Sequence, residues 1–96
     1  MKVFWTPKAA SDLKQAVDYI AKDKPDAASH FADRIYQRVM SLESTPYVGR
    51  SGILPGTLEL AFPPWQWIVV YRVDEHTVNI MRVRHTSRRL PRSTKG

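Results

Sequence analysis

The chain of 96 residues contains no cysteine, and its longest apolar run, residues 67–71, is far too short to cross a membrane. Without cysteine it can form neither a disulfide framework nor a thiolate metal site. A membrane-spanning helix needs about 20 apolar residues, and the first residues lack the apolar stretch of a secretion signal. These absences favour a small cytoplasmic protein that does not bind membranes.

Histidine is also scarce, and the three histidines, His30, His76 and His85, do not have the spacing of paired metal ligands. We therefore expect no metal site and no cofactor. Any catalysis by this chain would have to be metal-free and use ordinary side chains.

Acidic residues are missing from residues 82–96, which hold six of the fifteen basic residues. The rest of the chain has equal numbers of acidic and basic side chains, so the net charge of +6 arises from this segment. Its arginines are Arg82, Arg84, Arg88, Arg89 and Arg92. Because a guanidinium group holds phosphate or carboxylate through two hydrogen bonds, the segment favours binding of a polyanion or an acidic protein. A solvated basic tail is the alternative.

The first half of the chain has the apolar spacing of two amphipathic helices. Thr6-Pro7 predicts one helix start, and Asp23-Lys24-Pro25 predicts a second. The first apolar stripe comprises Ala10, Leu13, Ala16, Val17 and Ile20, and the second comprises Ala28, Phe31, Ile35, Val39 and Leu42. We predict that the second helix ends at Thr45-Pro46, and that the short connection makes an antiparallel helix hairpin.

The rest of the chain has the pattern of strands. We predict a first strand over residues 2–5, a glycine-rich loop over residues 47–56, and three later strands that form an antiparallel meander. In the last strand, the apolar positions shift from Val78 and Ile80 to Met81 and Val83, which indicates a bulge or burial of both faces.

These elements predict an α+β domain of order β-α-α-β-β-β, in which the helix hairpin packs on an antiparallel sheet. Residues 1–91 would form this single domain, and residues 92–96 would form a basic C-terminal tail.

Six segments then point to one family. They read WTPKAASDL followed by YI (residues 5–13 and 19–20), the second helix (residues 25–42), PYVGRSG (46–52), PGTLEL (55–60), IVVYRV (68–73) and IMRVRHTSR (80–88). In these segments, and in their order, the chain resembles the RelE/ParE superfamily of toxins from bacterial type II toxin–antitoxin systems. The resemblance covers about residues 3–91, and it implies a toxin that a cognate antitoxin neutralises.

Two positions depart from the family pattern. Leu58 stands where an arginine is usual, and Ile68 stands where the mRNA-cleaving branch often has a basic residue. The resemblance therefore favours the ParE-like branch, which poisons DNA gyrase, over the RelE-like branch, which cleaves mRNA on the ribosome.

If the chain is a ribonuclease, it needs a base for the 2′-OH, an acid for the leaving oxygen and cations for the phosphate. The candidates are His85, Arg88, Arg50 and Glu59. Each also has a structural interpretation: His85 as a surface histidine, Arg50 as an ion-pair partner of Asp33, and Glu59 as a solvent-facing strand residue or ion-pair partner.

The resemblance also implies a partner, a DNA-binding antitoxin with an acidic, partly disordered segment. This segment could cover the helix hairpin and a sheet edge and face the cluster Arg82, Arg84, Arg88, Arg89 and Arg92, with Arg88 and Arg89 contributing strongly. Operator DNA would be reached only through the antitoxin. A non-toxic nucleic-acid-binding or corepressor subunit is a third possibility, supported only by the basic tail.

Overall fold

Two helices and five strands make up the fold in a computed structural model that describes residues 1–88. The helices are α1 (Pro7–Asp23) and α2 (Pro25–Met40). The strands are β1 (Lys2–Trp5), β2 (Arg50–Ser51), β3 (Leu58–Ala61), β4 (Trp67–Val73) and β5 (Thr77–His85). Short 3₁₀ turns follow α2 (Ser41–Glu43) and β5 (Thr86–Arg88). The predicted order is confirmed, with β2 added inside the segment that we predicted to be a loop.

The predicted start of each helix is confirmed. The Thr6 hydroxyl accepts a hydrogen bond from the Ala9 amide (3.2 Å) and donates one to the Ile80 carbonyl (2.7 Å), so it caps α1 and ties it to β5. Only Lys24 separates the two helices. The predicted end of α2 at Thr45-Pro46 is wrong. The α-helix stops at Met40, and the chain tightens into the 3₁₀ turn, where the Ser41 hydroxyl donates to the Arg38 carbonyl (2.6 Å).

The sheet has the strand order β1-β5-β4-β3-β2. The strands β3 to β5 pair antiparallel, as predicted, and β2 also pairs antiparallel with β3. In contrast, β1 pairs parallel with β5, which makes the sheet mixed. The parallel pair is possible because the chain between β1 and β5 passes through both helices and three strands rather than through a tight turn.

The core lies between the helices and one face of the sheet. The predicted stripe of α2 is confirmed, because all of its residues are buried. On α1, Ala9 and Ala16 are buried, whereas Ala10 is exposed, contrary to its place in the predicted stripe. Among residues 1–88, no helix has the length and apolar character that a membrane span requires.

The predicted bulge is also confirmed. In the β4–β5 pairing, Val70 lies opposite Arg82 but Tyr71 lies opposite Ile80, so Met81 is the extra residue. The extra residue reverses the alternation, and Ile80 and Val83 both become buried. The bulge also determines which face of the sheet each later β5 side chain occupies.

Candidate functional site

His85 lies at the end of β5, directly opposite Trp67 of β4. The two rings meet edge to face, with centroids 5.0 Å apart. The Ser87 amide donates to Nδ1 of His85 (3.2 Å), and the Ser87 hydroxyl lies 2.7 Å from the same atom. Because Nδ1 accepts from the amide, a neutral His85 in this arrangement carries its proton on Nε2. These contacts give the ring of His85, a predicted candidate residue, a defined orientation.

The His85 ring borders a groove of about 530 Å³ between α1 and the end of β5. The lining is both aromatic and charged. It includes Asp12, Tyr19, Lys22, Trp67, Arg82, Arg84 and His85. The helix contributes Asp12, Tyr19 and Lys22, which sequence reasoning did not single out because they fall outside the apolar stripe.

Asp12 fixes one wall of this groove. Its Oδ2 accepts from Nε of Arg82 (2.7 Å) and from the Val83 amide (3.1 Å). The carboxylate therefore bonds a β5 amide that no strand pairs, next to the bulge. Arg82, which we predicted to contact a target or antitoxin, is thus engaged in an intramolecular ion pair, although its side chain remains 41% exposed.

Arg84 lines the same groove, but its Nε atom is in a different environment from the Nε of Arg82. Its Nε is buried and has no hydrogen-bond partner among the described residues. A buried guanidinium donor without an acceptor is unfavourable.

Glu59 departs from its predicted environment. It is only 8% exposed, and Oε2 accepts from the Ile53 amide at 3.2 Å. Our interpretation of Glu59 as a solvent-facing residue is therefore wrong, because the loop before β3 folds over the carboxylate. Arg50 lies opposite Glu59 in the β2–β3 pairing and is exposed. No Arg50–Asp33 ion pair forms among residues 1–88.

The predicted catalytic residues lie on opposite faces of the sheet. His85 pairs with Trp67, and Glu59 pairs with Val70, three positions further along β4. Side chains alternate between faces along a strand, so His85 shares the helix-covered face with Trp67, while Glu59 and Arg50 point to the other face. The sheet therefore separates His85 from Glu59 and Arg50. Arg88 falls within the second 3₁₀ turn, but its side chain lies outside the described part, as do Arg89 and Arg92.

The two departures from the family pattern lie in apolar surroundings. Leu58 packs against the core on the helix-covered face, and Ile68 is buried on the other face. The neighbour of Ile68 across β5 is Arg84. Among the nearby aromatic residues, Trp67 and Tyr71 belong to the core, and Trp65 packs against it.

Tyr71 has a further polar contact. Its hydroxyl accepts from the Gly49 amide at 2.9 Å. Burial raises the pKa of the Tyr71 phenol, and the Gly49 hydrogen bond and the charge of Arg38 partly oppose this effect. The neutral phenol thus holds the loop that leads into β2.

A second groove, of about 360 Å³, runs between β1 and the helix hairpin and is almost wholly apolar. Its apolar lining comprises Trp5, Ala10, Leu13, Val17 and Tyr36. Lys14 and Asp18, an exposed ion pair on α1 (3.1 Å), stand at its rim. The exposure of Ala10 follows from this groove, which the protein's own elements leave open.

Several known proteins are similar to this chain. A family model described as the ParE toxin of the type II toxin–antitoxin system parDE matches residues 3–90. The chain is 34% identical over 90 residues to protein Y4kP of Sinorhizobium fredii, covering 94% of this chain and 93% of that protein. It is 33% identical over 87 residues to Toxin RelE2 of Caulobacter vibrioides, covering 91% and 97% respectively.

Solved structures agree in fold. A chain of the chromosomal ParDE toxin–antitoxin system from P. aeruginosa superposes with a TM-score of 0.80 at 27% identity. A chain of the toxin–antitoxin complex RelBE2 from Mycobacterium tuberculosis superposes with a TM-score of 0.57 at 25% identity. Each comparison covers 88% of this chain and 95% of the other.

Proposed function

Because this chain belongs to the ParE toxin family of type II toxin–antitoxin systems, we propose that it arrests bacterial growth by binding DNA gyrase. The observation that supports this target over mRNA is the separation of His85 from Glu59 and Arg50 by the sheet. A toxin that acts by binding a protein needs no such residues to converge.

The chemistry explains why the separation matters. A general base or acid must approach within about 3 Å of the proton that it transfers. One scissile phosphate cannot meet this condition with His85 on the helix-covered face and Glu59 on the other. In addition, the Glu59 carboxylate is buried and accepts the Ile53 amide, so it is poorly placed to accept a proton from RNA.

The far face of the sheet also supports a target other than RNA. Ile68 and Val70 are buried there, so an apolar side chain stands at the position where the mRNA-cleaving branch often has a basic residue, while Arg84 and Arg82 lie opposite them on β5. The closer overlay with the ParDE chain than with the RelBE2 chain, at TM-scores of 0.80 and 0.57, points the same way.

A metal-free ribonuclease of the RelE type is the second candidate, and one observation favours it. The groove beside His85 combines an oriented imidazole, aromatic rings and Arg84, whose Nε has no partner among the described residues. Such a groove suits a nucleotide, because the aromatic rings can stack on a base and the guanidinium can hold a phosphate. In this alternative, His85 acts with arginines of residues 82–89, and Glu59 and Arg50 have no catalytic role.

We further propose a cognate antitoxin as the physiological partner, as the toxin–antitoxin systems of the two solved relatives suggest. The apolar groove of Trp5, Leu13, Val17 and Tyr36 fits the apolar side of an amphipathic segment. Acidic residues on that segment would pair with Arg84, Arg88 and Arg89. Replacing Arg88 and Arg89 together by alanine should weaken antitoxin binding in a titration, and an unchanged affinity would contradict their role.

One experiment separates the two targets. The chain is induced in bacteria, transcript 5′ ends are mapped by primer extension, and plasmid supercoiling is followed in the same cultures. His85→Ala tests the groove, and His76→Ala, in the exposed β4–β5 turn, is the matched control. We expect growth arrest and relaxed plasmids without new 5′ ends, in the wild type and in both variants. New ends in translated mRNA that disappear only with His85→Ala would establish the ribonuclease instead.

A further inference from the structure

The loop that precedes β3 concentrates exposed apolar side chains. Tyr47, Val48, Ile53 and Leu54 are each between 56% and 69% exposed, and they fall within eight consecutive residues. Exposed single apolar residues are common on protein surfaces, but four large ones in one short loop are a feature of recognition sites. Together with Pro55 and Val73, the loop borders a depression of about 420 Å³.

Internal hydrogen bonds hold this loop in shape. The Gly49 amide donates to the Tyr71 hydroxyl (2.9 Å), and the Ile53 amide donates to the Glu59 carboxylate (3.2 Å). The Thr57 hydroxyl donates to the Leu54 carbonyl (2.6 Å). The buried polar atoms of β3 and β4 thus fix the backbone on both sides of the exposed tips. A surface that is ordered before it binds loses less conformational entropy on binding.

Glycines allow the loop to pack so closely. A Cβ added at Gly49 would lie 2.6 Å from the Tyr71 hydroxyl and 2.8 Å from the Glu59 carbonyl. At Gly56, a φ of +79° would strain any other residue.

Within residues 46–73, which include the loop and strands β3 and β4, the exposed charges have one sign. Residues 46–73 contain three charged side chains, Arg50, Glu59 and Arg72, and Glu59 is the buried one. The Arg72 guanidinium lies over Gly56, close to the loop. Asp74 and Glu75, both exposed, follow in the β4–β5 turn, where the Asp74 carboxylate accepts from the Asn79 amide (2.6 Å). Residues 46–73 themselves therefore present an apolar surface with a basic rim.

The loop also lies far from the two grooves described above. It joins β2, which forms the edge of the sheet opposite to β1, whereas both grooves border α1. An antitoxin segment in either groove would leave the loop accessible.

We propose that residues 47–55, with Arg50 and Arg72, form the surface by which this toxin binds its target, and that the target is a protein with an apolar pocket rimmed by carboxylates. This inference rests on the proposed function only in taking the target to be a protein. Ile53 and Leu54 provide the apolar anchors, and the two arginines provide orientation and steering.

The test is the double variant Ile53→Ser/Leu54→Ser, with Phe4→Ser as its matched control. Phe4 is 55% exposed, nearly the same as Leu54, but it lies on β1 at the other edge of the sheet. Purified gyrase and relaxed plasmid serve as the probe, and the concentration of each variant that halves supercoiling is measured. We expect the double variant to need about 30-fold more protein, because the loss of a buried anchor typically weakens an interface by this factor or more. The control should stay within about threefold of the wild type.

Arg72→Glu is an independent variant that changes charge without removing an apolar group. We expect about a tenfold weaker effect on gyrase at low ionic strength, and a smaller difference as salt is raised. Thermal unfolding of each variant verifies that the fold is retained.

Growth arrest on induction tests the role of the loop surface independently of whether gyrase is the target. If wild-type protein leaves purified gyrase unaffected, gyrase is excluded, but loss of growth arrest in the loop variants alone still supports the surface. Full arrest by the folded double variant, or transcript cleavage that the loop variants leave unchanged, would overturn the inference.

Discussion

The end of β5 and the β2 edge of the sheet use their polar side chains differently. Beside the end of β5, Asp12, Arg82, Arg84 and His85 border an open groove, and the Asp12–Arg82 pair remains partly exposed. At the β2 edge, the polar atoms of Glu59 and Tyr71 are buried and each accepts a backbone amide of the loop. The first arrangement leaves charged groups available to a ligand. The second uses them to hold a loop whose apolar tips face solvent. Two surfaces of different chemistry therefore coexist on a small fold.

The β2 edge is the more sensitive to substitution, and Gly49→Ala should have the largest effect. The new methyl group would meet the Tyr71 hydroxyl and the Glu59 backbone, and a backbone atom cannot rotate away. We expect a loss of about 3 kcal/mol in the free energy of unfolding, measured by urea denaturation. Ser51→Ala, at an exposed position of β2, should change it by less than about 0.5 kcal/mol. Equal stability of the two variants would show that the loop is not packed as described.

Beside the end of β5, Asp12→Ala should lower the free energy of unfolding by less, about 1–2 kcal/mol. The change leaves the Val83 amide without its acceptor and removes a partly exposed ion pair with Arg82. Asp18→Ala is the control, because the Lys14–Asp18 pair is highly exposed and should contribute little. If both variants unfold at the same urea concentration, Asp12 does not anchor α1 to β5.

Tyr71→Phe should have the smallest effect at neutral pH, about 1 kcal/mol, since it removes one hydrogen bond and keeps the ring. The two proteins should also differ in how their stability depends on pH. Burial raises the pKa of Tyr71 in the folded state above 10.0, so the unfolded state releases this proton first. The contribution of Tyr71 to stability is thus complete below about pH 10 and declines above it. Urea midpoints measured from pH 8 to 11 should fall more steeply for the wild type than for Tyr71→Phe. If the urea midpoints of the two proteins fall equally with pH, the Tyr71 phenol is not buried as described.

Local patterns in the sequence sufficed to predict most of the fold. The apolar stripe from Ala28 to Leu42, the Thr6 cap and the bulge near Met81 depend on neighbours in the chain, and all are confirmed. The parallel pairing of β1 with β5 joins residues that are distant in sequence, and the spacing of apolar residues does not specify such a pairing.

The site was harder to predict than the fold. Glu59 follows the alternation of an exposed strand position, but the loop covers it through bonds that no local pattern specifies. Asp12 lies on the polar side of α1, and it accepts a hydrogen bond from the Val83 amide only because β5 packs beside the helix. The register separates His85 from Glu59, because their partners Trp67 and Val70 are an odd number of positions apart on β4. No local pattern in the sequence specifies these cross-strand partners.

The most direct test of the central claim is a supercoiling assay with purified gyrase, relaxed plasmid and this chain, in wild-type and His85→Ala forms. We predict that both proteins inhibit supercoiling at similar concentrations, because binding a protein target requires no groove imidazole. Full supercoiling in a molar excess of the folded wild-type chain would contradict gyrase as the target.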